Sequence, residues 1–590
     1  MKRTQLAAAV LLATGSVSAF AATYSVTPLP LQDNARSNFG RSIDEAGQML
    51  TIAQLEYSPP IDVDQLIEGT TFFEQFGPAL EDEESARQGV FTDSDYSSIV
   101  SYLISNPTLP QIQKLAQFRT YVTDTVDAEL VPGLDKITDK FDDYTQSVEA
   151  FGRDSLSGDY IVGDSGGLVI LDEYENEDGD IIKYTYPESS QQAFVQVSGE
   201  TKVLPPVDDT LGGFASARAI NNNLQVAGFS TVSFQTSVDE ARERCDDDEE
   251  RGDISIGRCL FNLYTGDFTA PRITSPFINT QVATAPAFVN LSEVNATIWQ
   301  LDVNGDVIST QTYPLLEEPA EDNTFYLYTY AFDINNQGIA VGESLTGEFV
   351  AITRPNQSRR AESERVATVF RDGETVELLP RDENIISQAI AINDNNWVTG
   401  AVLPPSDTAS RSKLFVYNLD SQEKFYPDGF FTSAGVTPNA INNNNIVVGS
   451  ADVAATNETQ REQAAFMYNI DTEELVNLND LVACDNTYEL IEAVDINDNN
   501  EILVNARIRT TAKEVTGVEI LDSAGETTDI DAIVAVKLSP IANGEIDDCE
   551  VPEDEQPYER QAASMGWLAM FGILCAGVFR RRVKSKALSK

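Results

Sequence analysis

Ala219-Ile220-Asn221-Asn222-Asn223-Leu224-Gln225-Val226-Ala227-Gly228 decides how this sequence is read, because the same ten-residue pattern returns along the chain. Close copies run from Asp333 to Gly342, Ala391 to Gly400, Ala440 to Gly449 and Asp495 to Val504, and looser ones start at Ser42 and Asp154. In each, an apolar residue enters a core. Asn, Asp or Gly residues then turn the chain, because they tolerate the left-handed region and Asn and Asp bond their own backbone. A short apolar strand follows and usually ends at Gly. The Asn-rich run therefore reads as turn chemistry rather than as a ligand site. The starts at 333, 391, 440 and 495 lie 58, 49 and 55 residues apart. The intervals from 42 to 154 and from 219 to 333 are about twice that, so one degenerate unit is expected in each. Pro276 to Ala285 is a weak candidate for the second.

Each decamer is preceded by a β-hairpin pattern. Ala367 to Leu378 turns at Asp372-Gly373, and Ile298 to Val307 turns at Asn304-Gly305, both read as type I′ turns. Phe415 to Phe425, Ala465 to Asp471 and Ala193 to Gly199 have the same form. One unit of about 50 residues thus carries three or four strands, which fits a propeller blade better than a solenoid coil. The expected fold is mainly β, a propeller of about six to eight blades filling residues 22–560; an irregular array of β-sandwiches is the alternative. One stretch breaks the pattern. Leu134, Ile137, Phe141, Tyr144 and Val148 are spaced as one face of a helix, and Ile112, Leu115, Phe118 and Val122 supply a partner. With Pro132-Gly133 between them, a helical hairpin is predicted over about 93–151.

Both ends carry signals. Lys2 and Arg3 precede an apolar run, and Ala19-Phe20-Ala21 fits a cleavage site, so residues 1–21 read as a secretory leader cut after Ala21. Ala562 to Phe579 contains no charge and is long enough, at about 1.5 Å per residue, to cross most of a hydrocarbon core. Arg580, Arg581, Arg582, Lys584, Lys586 and Lys590 follow, which places 580–590 in the cytoplasm and the body outside it. Ser564, Gly566 and Trp567, the apolar run and the Arg cluster resemble GlyGly-CTERM sorting tails of Gram-negative bacteria, with Ala562-Ala563 where those tails have Gly-Gly. That resemblance implies a sorting protease as a partner; a permanent anchor is the other reading. The aromatic hairpins and decamers over 191–507 resemble HAF-type extracellular repeats. With both ends, the chain looks like a domain-of-unknown-function family of gammaproteobacterial exported proteins. The resemblance implies a β-rich protein at the periplasmic face of the inner membrane or the cell surface, and it carries over no catalytic residue.

The formal charge is −55, and setting apart the two cations of the leader and the six of the tail leaves −63 for the body. Such a surface repels nucleic acid and suits a salty medium. There is no His, which removes Ser-His-Asp and Cys-His nucleophiles and the usual zinc sites. Gly163-Asp164-Ser165-Gly166-Gly167 matches the serine segment of trypsin-like proteases but lacks the His to activate it. Of five cysteines, Cys575 lies in the tail; the other four allow three pairings, with Cys245–Cys259 and Cys484–Cys549 favoured. Asp302, Asn304 and Asp306 space oxygen ligands as calcium loops do, although Tyr313 stands where such a loop needs an acid. The run Asp246 to Glu250 is a second weak candidate for divalent cations.

These features favour a non-enzymatic, membrane-held extracytoplasmic propeller that binds a protein or glycan or contributes to the envelope. A carboxylate-driven glycan hydrolase or lyase is the alternative, and a calcium-stabilised scaffold is a third reading. A pair of facing carboxylates in the channel would favour the enzyme, and a channel lined by Asn and aromatic side chains would favour binding.

Overall fold

The computed structural model describes residues 24–546 except 31–32, 68–70, 108, 266–291, 319–326, 354–359, 405–410 and 456–460. Seven four-stranded antiparallel sheets follow one another as blades, and the innermost strand of each packs against that of the next. These innermost strands are Ala35–Ile43, Ala150–Leu156, Ala215–Ile220, Thr329–Ile334, Ile386–Ile392, Val436–Ile441 and Glu489–Ile496, for blades 1 to 7. Each ends in the first two or three residues of a decamer, and the rest of the decamer turns into the second strand. Seven decamers therefore make seven blades. The doubled intervals hold insertions within blades 1 and 3, not hidden blades, and Pro276 to Ala285 lies outside the described residues.

The ring closes through the chain's start. Tyr24–Pro28 is the outer strand of blade 7, paired with Asp529–Pro540 from Tyr24↔Pro540 to Pro28↔Val536. Apolar clusters fill the spaces between neighbouring blades. Val416 of blade 5 meets Val447 and Phe466 of blade 6, and Val448 and Met467 of blade 6 meet Val504 and Val536 of blade 7. This is sheet-on-sheet packing, with every strand's core face turned to a neighbouring blade.

The turn after the innermost strand is short in every blade, whereas the connection between the second and third strands is elaborated. In blade 1 it carries helices Asp64–Ile67, Phe72–Gln75, Glu83–Ala86 and Asp93–Ser105, around a core of Leu66, Phe72, Phe73, Ile99, Val100 and Leu103. In blade 2 it carries the hairpin Val169–Glu175 and Ile181–Pro187, and in blade 3 helices Thr236–Asp246, Asp248–Arg251 and Ile256–Thr265. Since strands alternate in direction, these insertions belong to the face opposite the Asn-rich turns.

The helical hairpin predicted over 93–151 is not formed. Asp93–Ser105 is helical, its first turn capped by the Thr92 side chain accepting from Asp95 N. Phe118–Thr123 and Ala128–Val131 are instead the outer strands of blade 1, and Ile137–Thr138 pairs with Asp143–Tyr144 in a small sheet. Ile137, assigned to the buried helix face, is 66% exposed. Phe118 and Val122 sit four apart, which a strand accommodates as two residues of one face.

Among the described residues no helix is long and apolar enough to cross a membrane. The leader with Ala21, the 562–579 helix, Ser564, Gly566, Arg580 to Arg582, Cys549 and Cys575 lie outside the described residues.

Candidate functional site

The ten-residue pattern explains itself at the channel. In each of the seven innermost hairpins the register slips by one residue at the same place, which makes Arg41, Arg153, Arg218, Phe332, Ile390, Asn439 and Val494 the extra residue of a bulge. A bulge bends its strand and re-aims one side chain. All seven of these residues line one cavity of about 300 Å³ on the axis. The bulge also accounts for the decamer's final glycine. A Cβ on Gly163, Gly228, Gly342, Gly400 or Gly449 would stand 1.8–2.1 Å from a carbonyl oxygen of the innermost strand, which no side chain tolerates.

The turns themselves are latched blade to blade. Asn221 Nδ2 donates to Asn335 O at 2.8 Å, Asn335 to Asn393 O at 3.2 Å, Asn393 to Asn442 O at 2.9 Å, Asn442 to Asn497 O at 2.9 Å, and Asn497 to Asp44 O at 3.1 Å. Each of these Asn side chains also accepts its own turn's N–H groups, as Asn442 Oδ1 does from Asn444 N and Ile446 N. The Asn-rich runs are therefore turn chemistry, as their composition predicts, and in addition the joints between blades.

Three half-buried aspartates make a second set of joints. Asp154 Oδ2 accepts Ile220 N of the next blade at 2.9 Å, Asp333 Oδ2 accepts Ile392 N at 2.8 Å, and Asp495 Oδ2 accepts Ile43 N at 2.8 Å across the closure. Their Oδ1 atoms take the N–H of Ser155, Ile334 and Ile496. Burial pushes Asp154 up to about 7 and Asp333 up to about 6, and it raises Asp495 well above its ordinary value. Each carboxyl thus has both oxygens engaged with backbone.

The three arginines come from consecutive blades 1, 2 and 3. Arg153 donates through Nε and Nη2 to Asp164 Oδ2 at 3.0 and 2.6 Å, and Asp164 Oδ1 accepts from Ser216 Oγ. Burial, with the neighbouring Arg153 guanidinium, pushes Arg41 and Arg218 each down to about 9. The Arg218 guanidinium lies 5.7 Å from the Phe332 ring. Blades 4, 5 and 7 add the apolar Phe332, Ile390 and Val494 and blade 6 adds Asn439, while acids, among them Asp44, Asp154, Asp333 and Asp495, line the same cavity.

The residues singled out in the sequence lie elsewhere. Asp302, Asn304 and Asp306 form the outer hairpin turn of blade 3. Asp302 Oδ1 accepts Asn304 N and Asp306 N at 2.8 and 2.9 Å, which holds its carboxyl below its ordinary value, and Asp306 pairs with Lys202 at 2.8 Å. Only Gly305 of that turn has a positive φ, so it is not the type I′ turn expected from Asn-Gly, whereas Asp372 and Gly373 both do. Among the described residues no three acidic or cysteine side chains are grouped to hold a metal ion. In the acidic run, Asp247 caps the Asp248–Arg251 helix and Asp248 pairs with Arg251. Cys245 and Cys259 form the expected disulfide, and Cys484 is also disulfide-bonded. Ser165 is fully buried, accepting from Leu134 N and donating to backbone carbonyl groups, so it has no nucleophile's setting.

The sequence reading passed over the arginines although they were within reach. The decamer alignment stopped one residue short of Phe39-Gly40-Arg41, Phe151-Gly152-Arg153 and Ala217-Arg218, where the cation recurs.

No curated protein matches the chain in sequence. Among solved structures, the acylaminoacyl peptidase of Pyrococcus horikoshii is similar with a TM-score of 0.32 and 10% identity, over 84% of this chain and 52% of that one. The chain therefore spans about half the length of that enzyme. The β-propeller domain of the Trilobed protease from Pyrococcus furiosus is similar with a TM-score of 0.25 and 9% identity, over 68% of this chain and 97% of that domain. Scores this low carry no argument about activity. The family described as "Protein of unknown function (DUF3466)" matches residues 1–582, and the chain belongs to it.

Proposed function

We propose that this chain is a non-enzymatic binding propeller of the extracytoplasmic space, held at the membrane by 562–579 and taking its ligand in the axial channel. The observation that carries this is how the channel carboxylates are employed. Of the cavity acids with raised values, Glu45 accepts Asp498 N, and Asp44, Asp154, Asp333 and Asp495 are the others a glycan hydrolase could use. Each of these four aspartates has one oxygen on its own blade's backbone and the other on the next blade's. An acid tied this way on both oxygens has a structural task, joining one blade's backbone to the next. The seven bulge side chains, by contrast, all reach the cavity. Its volume is at the small end of the range for ligand pockets.

The test is incubation of the purified body with acidic and neutral polysaccharides and their oligomers, following both thermal shift and new reducing or unsaturated ends. A shift without new ends is expected. New ends that disappear in Asp154→Asn would overturn the reading in favour of the hydrolase or lyase. Location is tested by the intact mass of the mature protein from inner membrane, cell surface and medium. A mass starting at Ala22 and retaining Arg580 to Lys590 in the inner membrane means a permanent anchor. One ending near Ala562 at the surface or in the medium means a sorting signal.

A further inference from the structure

We infer that the axial cavity is a receptor site for a short aliphatic amine with two or more ammonium groups, one held inside by Asp154, Asp333, Asp495 and Ser42 and another at the mouth by Asp394, Asp498 and Glu45. The inference rests on the reading of the chain as a binding propeller and supplies that reading's ligand class.

Three features lead to it. The first is the balance of charge. The cavity wall holds seven acids against three arginines. The arginines are already matched by acids: Arg153 pairs with Asp164 at 2.6 Å, Arg218 also faces Asp164, and Arg41 faces Glu492, Asp164 and Asp495. The acids oppose one another. Besides burial, Asp154 has Asp333 and Asp44 as repelling neighbours, Asp495 has Asp154 and Asp333, and Glu45 has Asp498 and Asp44. A cation among them relieves that repulsion. The second is a pair of hydroxyl groups. Ser42 and Ser155 belong to the same wall, are 3% and 7% exposed, and make no side-chain hydrogen bond among the described residues. Ser42 stands one residue past its bulge, the place that Asp154, Asp333 and Asp495 take in blades 2, 4 and 7. A buried hydroxyl without a partner is costly, and an ammonium group brings three N–H donors and no acceptor. The third is the arrangement of the acids on two levels. Asp154, Asp333 and Asp495 stand in the innermost strands, whereas Asp394, Asp498 and Glu45 stand on the turn tips around the mouth. The tip acids accept N–H groups of neighbouring tips, Asp394 from Asn336 and Asp498 from Asn443 at 2.8 Å, and Glu45 from Asp498 at 3.1 Å. A carboxylate has about four lone-pair positions, so acceptors remain for a ligand on both levels. Asp44, the seventh acid, is taken up by Ala46 N, Gln48 N and Gly158 N. Among the described residues no three acids are grouped to hold a metal ion, so a compact ion meets only part of the set. An extended amine reaches both levels, and its methylenes lie against Phe332, Ile390 and Val494 of the same wall.

The experiment is calorimetric titration of the purified protein at pH 8 and low, matched ionic strength with spermidine, 1,4-diaminobutane, butylamine, neutral 1,4-butanediol and magnesium chloride. Saturable binding of one spermidine or diaminobutane per chain is expected, roughly tenfold or more tighter than that of butylamine or magnesium, with butanediol silent. Asp394→Asn and Asp498→Asn place at the mouth the residue that Asn222, Asn336 and Asn443 already are in other blades. Each is expected to weaken binding roughly tenfold or more, the usual worth of a charge-assisted hydrogen bond. Glu249→Gln/Glu250→Gln removes charge from the opposite face and should leave binding unchanged, which separates the channel from general attraction to an acidic surface. Ser42→Ala, which matches Ala219, Ala391 and Ala440, should weaken binding while the melting temperature of the free protein stays the same or rises; a hydroxyl with only a structural role would not give that combination. Should the variants misfold, a water-soluble carbodiimide added to the wild-type protein with bound spermidine couples the amine to the carboxyl it touches, and peptide mapping should find it on Asp394, Asp498 or Glu45. Amine binding no tighter than that of magnesium, binding unaffected by the mouth variants, or coupling only outside the channel each overturns the proposal while leaving a binding propeller in place. Oxidation or cleavage of the amine would instead sink the non-enzymatic reading on which it rests.

Discussion

Asn442 shows what one side chain of the blade ring does. Its Oδ1 accepts Asn444 N at 3.1 Å and Ile446 N at 3.0 Å, while its Nδ2 donates to Asn497 O at 2.9 Å and Asn500 Oδ1 at 2.8 Å. One residue shapes its own turn and holds the next blade. Asn442→Ala removes four bonds at a site only 4% exposed, so a loss of about 2–4 kcal/mol is expected in urea unfolding. Asn442→Asp keeps the acceptor and forfeits both donated bonds, and it should recover only part of that loss. The aspartate joints carry a pH signature. Asp154 and Asp333 have folded values near 7 and 6, above the ordinary value of 3.8. Between those limits the folded state binds the proton that the unfolded chain has released. Their contribution to stability is therefore complete below about pH 4 and is lost as pH rises through 6 to 7. The melting temperature should rise from pH 8 to pH 5, and the rise should be visibly smaller in Asp154→Asn/Asp333→Asn. Equal slopes in the two proteins would show that these carboxyls are not the titrating groups.

At the scale of elements, the strand Tyr24–Pro28 bears the closure of the ring. Tyr24 is 5% exposed within the core shared by blades 6 and 7, and its hydroxyl reaches Met467 Sδ. Deleting residues 22–28 strips blade 7 to three strands and exposes Asp529–Pro540 as a free edge. A fall in melting temperature of several degrees and concentration-dependent association through that edge are expected, read by calorimetry and light scattering. An unchanged monomer would mean that the side-chain joints Asp495 to Ile43 N and Asn497 to Asp44 O close the ring unaided. Most of these elements were legible in the sequence, because a turn with Asp372-Gly373 or a run such as Asn442 to Asn445 dictates backbone conformation locally. The helices were not placed correctly. Leu134, Ile137 and Phe141 have helical spacing by coincidence, and only the pairing of Phe118–Thr123 with Met49–Glu56, some seventy residues earlier, settles them as part of a β-region. The genuine helix Asp93–Ser105 has the right pattern in Tyr96, Ile99, Val100 and Leu103. The candidate site was half legible: the turns gave the ring, but a bulge is a relation between two strands, and the decamer's final glycine alone did not give the arginines a direction until the strands were paired.

For the molecule as a whole, the governing quantity is its charge. The chain carries −55, and the structure ties buried acids to backbone, as at Asp95, to arginine, as at Asp164, or to polar side chains, as Glu343 is to Tyr328 and Gln388. Folding brings these charges together, so self-repulsion opposes the compact state, and ions relieve it over a screening length of about 10 Å at 0.1 M. Raising sodium chloride from low millimolar to about 0.5 M should therefore raise the melting temperature by several degrees, with potassium as effective as sodium. Calcium separates general screening from a bound ion. The Asp302 turn and the Asp246 to Glu250 run are where such an ion would sit. In the structure, the first is drawn together by backbone N–H groups and Lys202, and the second by a helix cap and Arg251. Millimolar calcium is thus expected to do no more than sodium at matched ionic strength, and a chelator should leave the melting temperature unchanged. A large drop on chelation, abolished by Asp302→Asn, would instead assign a structural calcium to the outer turn of blade 3. The screening account would then be incomplete, because a specific cation would be doing locally what salt does for the whole surface.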